Sequence, residues 1–132
     1  AAGQGRRGRT GAAALAGLTT TAQAGKPTEL KGPELRSAVA GKTVYLSSSG
    51  IVLPISYRAN GTMSGRLQAF AAALAGGSPV DNGRWWIKND RLCQKWNRWL
   101  DGKSYCFKLT RQGQTVRWVR NDGRKGTARI GG

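Results

Sequence analysis

The sequence predicts a mainly β domain: a small antiparallel barrel or sandwich with one or two short helices and one disulfide. Three observations carry that expectation. Short runs rich in β-branched and aromatic residues recur from Thr43 onward, broken by Gly, Asn and Asp turn signals about every ten residues. The only two cysteines, Cys93 and Cys106, stand at hairpin spacing. Helical periodicity is confined to two brief stretches. With 132 residues there is room for one domain, and twenty glycines leave it a modest core.

Residues 1–24 read as a signal peptide, or in the plainer reading as a basic disordered tail. Arg6, Arg7 and Arg9 precede a soft apolar run from Gly11 to Leu18, and Ala22-Gln23-Ala24 has the small-x-small pattern of a cleavage site. The Arg6-Arg7 pair matches a twin-arginine signal only loosely, because the apolar residues expected just after it are missing. The export reading places the chain in the periplasm or outside the cell. No stretch approaches the roughly 20 apolar residues that would span a bilayer as a helix.

Residues 25–32 read as a polar linker and 33–132 as a single β-rich domain. Pro33 and Glu34 suit the first turn of a helix, Leu35, Ala38 and Val39 share one face, and Gly41 ends it. Strands are expected at Thr43–Leu46 and Ile51–Tyr57, the latter marked as an edge or bulge by Pro54. Asn60-Gly61 signals a hairpin into Thr62-Met63. Ser64 would cap a second helix, with Leu67, Phe70, Ala71 and Leu74 in one stripe lying across a face or mouth of the sheet. From Arg84 a meander follows: Arg84–Lys88, Arg91–Trp96, Tyr105–Thr110, Thr115–Arg120 and Thr127–Ile130, with turns between.

Asp101-Gly102 looks like a tight turn, but it would set Cys93 opposite Thr110. A Cys93–Cys106 bridge needs a wider loop centred near Trp99-Leu100, and the pairing is the stronger signal, because an exported chain with two cysteines at this spacing oxidises them. Closing so small a loop contributes roughly 3 kcal/mol in the chain-entropy treatment. Of five tryptophans, Trp85 shares a face with Ile87 and Trp118 with Val116, which makes both core candidates. Trp86, Trp96 and Trp99 are left as candidates for an exposed aromatic surface or, in the plainer reading, as further core of a glycine-diluted domain with Arg stems packed on them.

Charge narrows the function. Lys plus Arg outnumber Asp plus Glu by 22 to 6, for a net +16. Such a field attracts polyanions. Histidine is absent, which removes the commonest general base and metal ligand, so neither a metal nor another cofactor is expected. An enzyme would have to pair carboxylates among Asp81, Asp90, Asp101 and Asp122, which all read as turn residues. The leading expectation is an exported binding module for an anionic or carbohydrate envelope ligand. Trp86, Trp96 and Trp99 would stack on it, while Arg84, Arg91, Lys95 and Arg98 pair with its charges. The alternative is a nucleic-acid-binding β domain using Arg117, Arg120, Arg124, Lys125 and Arg129. Nothing in the sequence speaks to oligomeric state.

Several motifs stand together: Pro33-Glu34-Leu35, Gly41-Lys42-Thr43, Asn60-Gly61-Thr62, Gly83-Arg84-Trp85-Trp86, Asp90-Arg91-Leu92-Cys93 with Trp96, and Cys106-Phe107. Over roughly residues 30–125 this set resembles a group of small exported proteins, mainly of rhizobial and other alphaproteobacteria, that forms a domain of unknown function. The resemblance implies a signal peptide, a compact β fold and a disulfide, and it carries no catalytic residues.

Overall fold

The computed structural model describes residues 26–68, 71 and 77–131. The expected signal segment lies outside the described residues, as do Phe70 and Leu74 of the second expected helix. In chain order the elements are β1 (Thr28–Glu29), α1 (Gly32–Val39), β2 (Lys42–Ser48), β3 (Ile51–Tyr57), β4 (Thr62–Arg66), β5 (Val80–Lys88), β6 (Arg91–Trp96), a 3-10 turn (Trp99–Gly102), β7 (Ser104–Gln112), β8 (Thr115–Arg120) and β9 (Lys125–Gly131).

Strands β2 to β9 run as an up-and-down meander, each antiparallel to its neighbour in sequence. β9 returns to pair with β2, with Ile130 opposite Val44, and so closes an eight-stranded barrel. The turns explain the register. Ser49-Gly50 and Asn89-Asp90 each take positive φ at both positions (53° and 79°; 53° and 59°), the two-residue geometry whose twist matches the flanking strands. Closure removes the sheet edge expected at Pro54 only in part. The β3–β4 ladder covers Ile55–Tyr57, so Pro54 has β2 on one side and no described ladder partner on the other.

The interior follows the period of two. Leu92, Gln94 and Trp96 of β6 point inward, as do Phe107 and Leu109 of β7 and Val116 and Trp118 of β8. Helix α1 forms as expected, with Pro33 in its first turn and Leu35, Ala38 and Val39 buried. It packs on β2, β5 and β6 at one end of the barrel, where Val39 lines the interior together with Val44, Leu92, Leu109 and Ile130. At 0% exposure, Leu35 is the plug of that end.

Two boundaries differ from expectation. Residues 28–30 are not linker: Thr28 and Glu29 pair with Arg111 and Thr110, extending the sheet beside β7, and Leu30 is buried with its N–H donated to the Leu109 carbonyl (2.9 Å). A two-residue strand is too short to leave an alternating pattern. Nor does Ser64 cap a helix. It sits in β4 opposite Asn82, which carries the strand on to Arg66. The apolar stripe still reaches the end of the barrel opposite α1, through half-buried Leu67 and buried Ala71.

Candidate functional site

The outer face of β5 and β6 carries three of the four charges singled out from the sequence, Arg84, Arg91 and Lys95, together with Lys88. Arg84 lies directly opposite Lys95, Trp86 opposite Cys93, and Lys88 opposite Arg91. Like charges set face to face on adjacent strands repel. Here two such pairs stand about 13 Å apart, the rise of four strand residues. Neither ion pair of the described residues, Lys108–Glu29 and Arg120–Asp122, involves these four cations. Half-buried Trp86 lies between them on the same face. The disulfide crosses from this face to β7: Cys93 and Cys106 are register partners with Cα atoms 3.9 Å apart. Their pairing centres the connecting loop between Trp99 and Leu100, as expected. Leu100 and Asp101 reach positive φ (58° and 57°) to make the wider turn.

Trp96 and Trp99 are not part of an exposed surface. Each is 2% exposed, and their rings tilt together at 4.6 Å between centroids. Glycines opposite them make the room. Gly83 is the cross-strand partner of Trp96, and a Cβ at Gly65 would stand 2.8 Å from the Trp96 ring and 2.9 Å from that of Trp99. Trp85 and Trp118 are buried as expected. Trp85 donates its indole N–H to the Arg58 carbonyl (2.9 Å), with the Arg36 guanidinium 4.8 Å over its ring. Arg98 lies beyond the end of β6, its side chain exposed and its backbone N–H held by Asp81.

Asp81 is the residue that sequence reasoning misplaced. It is a strand residue, 3% exposed, not a turn aspartate. One oxygen, Oδ2, accepts the backbone N–H groups of Arg98 (2.8 Å) and Trp99 (2.9 Å). A carboxylate holding two backbone donors pins the wide loop onto β5. The alternation Asp81, Gly83, Trp85, Ile87 on one face of β5 was the available signal.

Among the described residues, the end of the barrel opposite α1 is bordered by Leu67 and Ala71 and is otherwise uncovered. A cavity of about 160 Å³ there is lined by Leu46, Leu53, Ile55, Trp96, Phe107 and Trp118, together with Ser48, Gln94, Leu100, Arg120 and Arg124. Arg120 is committed: its Nε and Nη2 donate to the two oxygens of Asp122 (2.8 and 2.6 Å), and its guanidinium lies 4.0 Å over the Tyr105 ring. That pairing raises the Arg120 pKa and holds the Asp122 carboxyl down at about 2. Deeper in, Tyr57 donates its hydroxyl to Gln94 Oε1 (2.7 Å), and burial pushes the phenol well above its ordinary range.

The basic set of the nucleic-acid reading is divided. Arg117, Lys125 and Arg129 lie on the outer face of β8 and β9, whereas Arg120 and Arg124 line the open mouth. The one aromatic ring paired with Arg129 across the strands, Tyr45, is already covered by its guanidinium at 4.6 Å.

Fold and site together define a closed antiparallel barrel with a cationic outer ladder and one open mouth. No protein-family model, no curated protein and no solved structure matches the chain. No helix of the described residues is long and apolar enough to cross a membrane.

Proposed function

We propose that this protein is an exported binding module whose β5–β6 face takes an anionic polymer of the cell envelope, such as an acidic polysaccharide. The observation that carries the reading is the pair of opposed like-charge contacts, Arg84–Lys95 and Lys88–Arg91, on either side of Trp86. Four cations that no ion pair among the described residues engages stand on one strand pair and repel one another, and a ligand with regularly spaced negative charges relieves that repulsion. Trp86 offers the one tryptophan ring on this face for stacking against a sugar. The disulfide supports an oxidising compartment. The expected signal segment and the resemblance to small exported alphaproteobacterial proteins point the same way.

Titration calorimetry with polygalacturonate tests the reading, with a single-stranded oligonucleotide of equal charge as competitor, at two salt concentrations. The proposal expects polysaccharide to bind at least as tightly as the oligonucleotide, and the double variant Arg84→Ala/Lys95→Ala to weaken it at least tenfold. Salt dependence alone does not discriminate, since every polyanion shows it. Unchanged polysaccharide binding in that variant and in Trp86→Ala would sink the assignment to this face. A strong preference for the oligonucleotide would replace the envelope ligand with nucleic acid.

A further inference from the structure

We propose that the open mouth of the barrel is a second binding site, separate from the outer ladder, for a small apolar monocarboxylate. The cavity is enclosed by barrel walls, so a polymer cannot lie across it as it can on the β5–β6 face. Its lining is mostly hydrocarbon and aromatic, and outward it continues into a depression of about 380 Å³ that shares Leu46, Ser48, Leu53, Leu100 and Arg124 with it. Pockets of this make-up, apolar with a few fixed polar groups, are the usual ligand sites of small barrels.

The polar groups in that lining are donors in excess of acceptors. Gln94 is 5% exposed. Its Oε1 is taken by Tyr57, and its amide nitrogen has no acceptor among the described residues. The indole N–H of Trp96, 2% exposed, also has none, while those of Trp85, Trp99 and Trp118 all do. Buried donors are satisfied as a rule, and two left open beside one cavity mark a place where an acceptor belongs.

Arg124 adds the charge. Both Asp122 oxygens are engaged by Arg120, and the contacts of Arg124 are through its backbone: its N–H donates to Asp122 Oδ1 (3.3 Å) and its carbonyl accepts the Arg120 N–H (2.7 Å). Arg124 lines the mouth, and its guanidinium has no hydrogen-bond or ion-pair partner among the described residues. Apolar walls exclude a strongly hydrated ligand, and a free cation with unpaired N–H donors favours an oxyanion. A hydrocarbon body inside with a carboxylate at Arg124 meets both requirements. Leu100, 41% exposed at the rim, gives the emerging part of such a body an apolar contact.

The test uses the full chain, labelled with 15N, titrated with octanoate and separately with 1-octanol. Saturable shifts of the Trp96 and Trp118 indole signals and the Gln94 amide are expected, with octanoate at least tenfold tighter than octanol. Arg124→Gln, a change at an exposed turn residue, should abolish that preference. Arg84→Ala should leave octanoate binding unchanged, which keeps this result independent of the outer-face proposal. The inference is overturned if no saturable shift occurs at those three groups. It is equally overturned if the shifts fall only on the Arg84–Lys95 face, or if octanol matches octanoate in both proteins.

Discussion

At one end of the barrel Leu35, Ala38 and Val39 close the interior with a helix. At the other, Trp96 and Phe107 line a cavity rimmed by Arg120 and Arg124. The capped end is held mainly by apolar burial and backbone ladders, with Asp90 accepting the Gly32 N–H (3.0 Å) at the start of α1. The open end is held by polar clamps, with Asp81 fastening the Trp99 loop and Asp122 fastening Arg120. The two ends of one barrel axis are thus held by different means. Apolar burial at the cap carries no charge to titrate, whereas the Asp122–Arg120 clamp at the mouth responds to pH, which lets the two ends be disturbed one at a time.

The largest disturbance is expected at the cap. Leu35→Ala should lower unfolding free energy by about 2–5 kcal/mol, read from denaturant midpoints, with octanoate affinity at the mouth unchanged wherever the protein is folded. If the variant loses both together, the two ends are not separable. Replacing both cysteines by serine should cost about 3 kcal/mol and shorten the thermal range by several degrees. An unaltered melting temperature would mean that the strand register alone holds the hairpin. Asp81→Ala should cost about 2 kcal/mol through two unsatisfied backbone donors, and unlike the cap variant it should also disturb the Trp99 indole signal. An unmoved signal would show that the loop does not depend on this clamp. The smallest effect concerns Asp122. Its carboxyl titrates near 2 in the folded chain, below its ordinary value of 3.8. The stabilisation it lends is therefore complete above about pH 4 and fades as pH falls toward 2. Thermal scans of wild type and Asp122→Asn should nearly coincide at about pH 2 and diverge as pH rises to about 4, and a constant difference down to pH 2 would assign the effect elsewhere.

Much of this architecture was legible in the residues. β3, β6 and β8 begin and end at the residues expected from the turn signals around them, and the cysteine spacing predicted the Cys93–Cys106 register against the competing Asp101-Gly102 turn. The misreadings share a cause. Trp96 and Trp99 looked like surface because nothing local shows that Gly65 and Gly83, far off in sequence, would leave space for them. Asp81 looked like a turn residue because the donors it serves are 17 and 18 positions away. Leu30 is tied to Leu109 by a strand pairing too short to have a pattern. The outer ladder was visible as composition, but the direct opposition of Arg84 to Lys95 and of Lys88 to Arg91 appears only with register.

The closure of β9 on β2 has a practical consequence. Gly131 pairs with Thr43 close to α1, and Thr28 pairs near the same rim, so the described chain enters and leaves the barrel at its capped end. A tag, a linker or a solid support attached through either side of the barrel would hold the molecule by that end. The mouth would then project away from the attachment, presented like the bell of a horn.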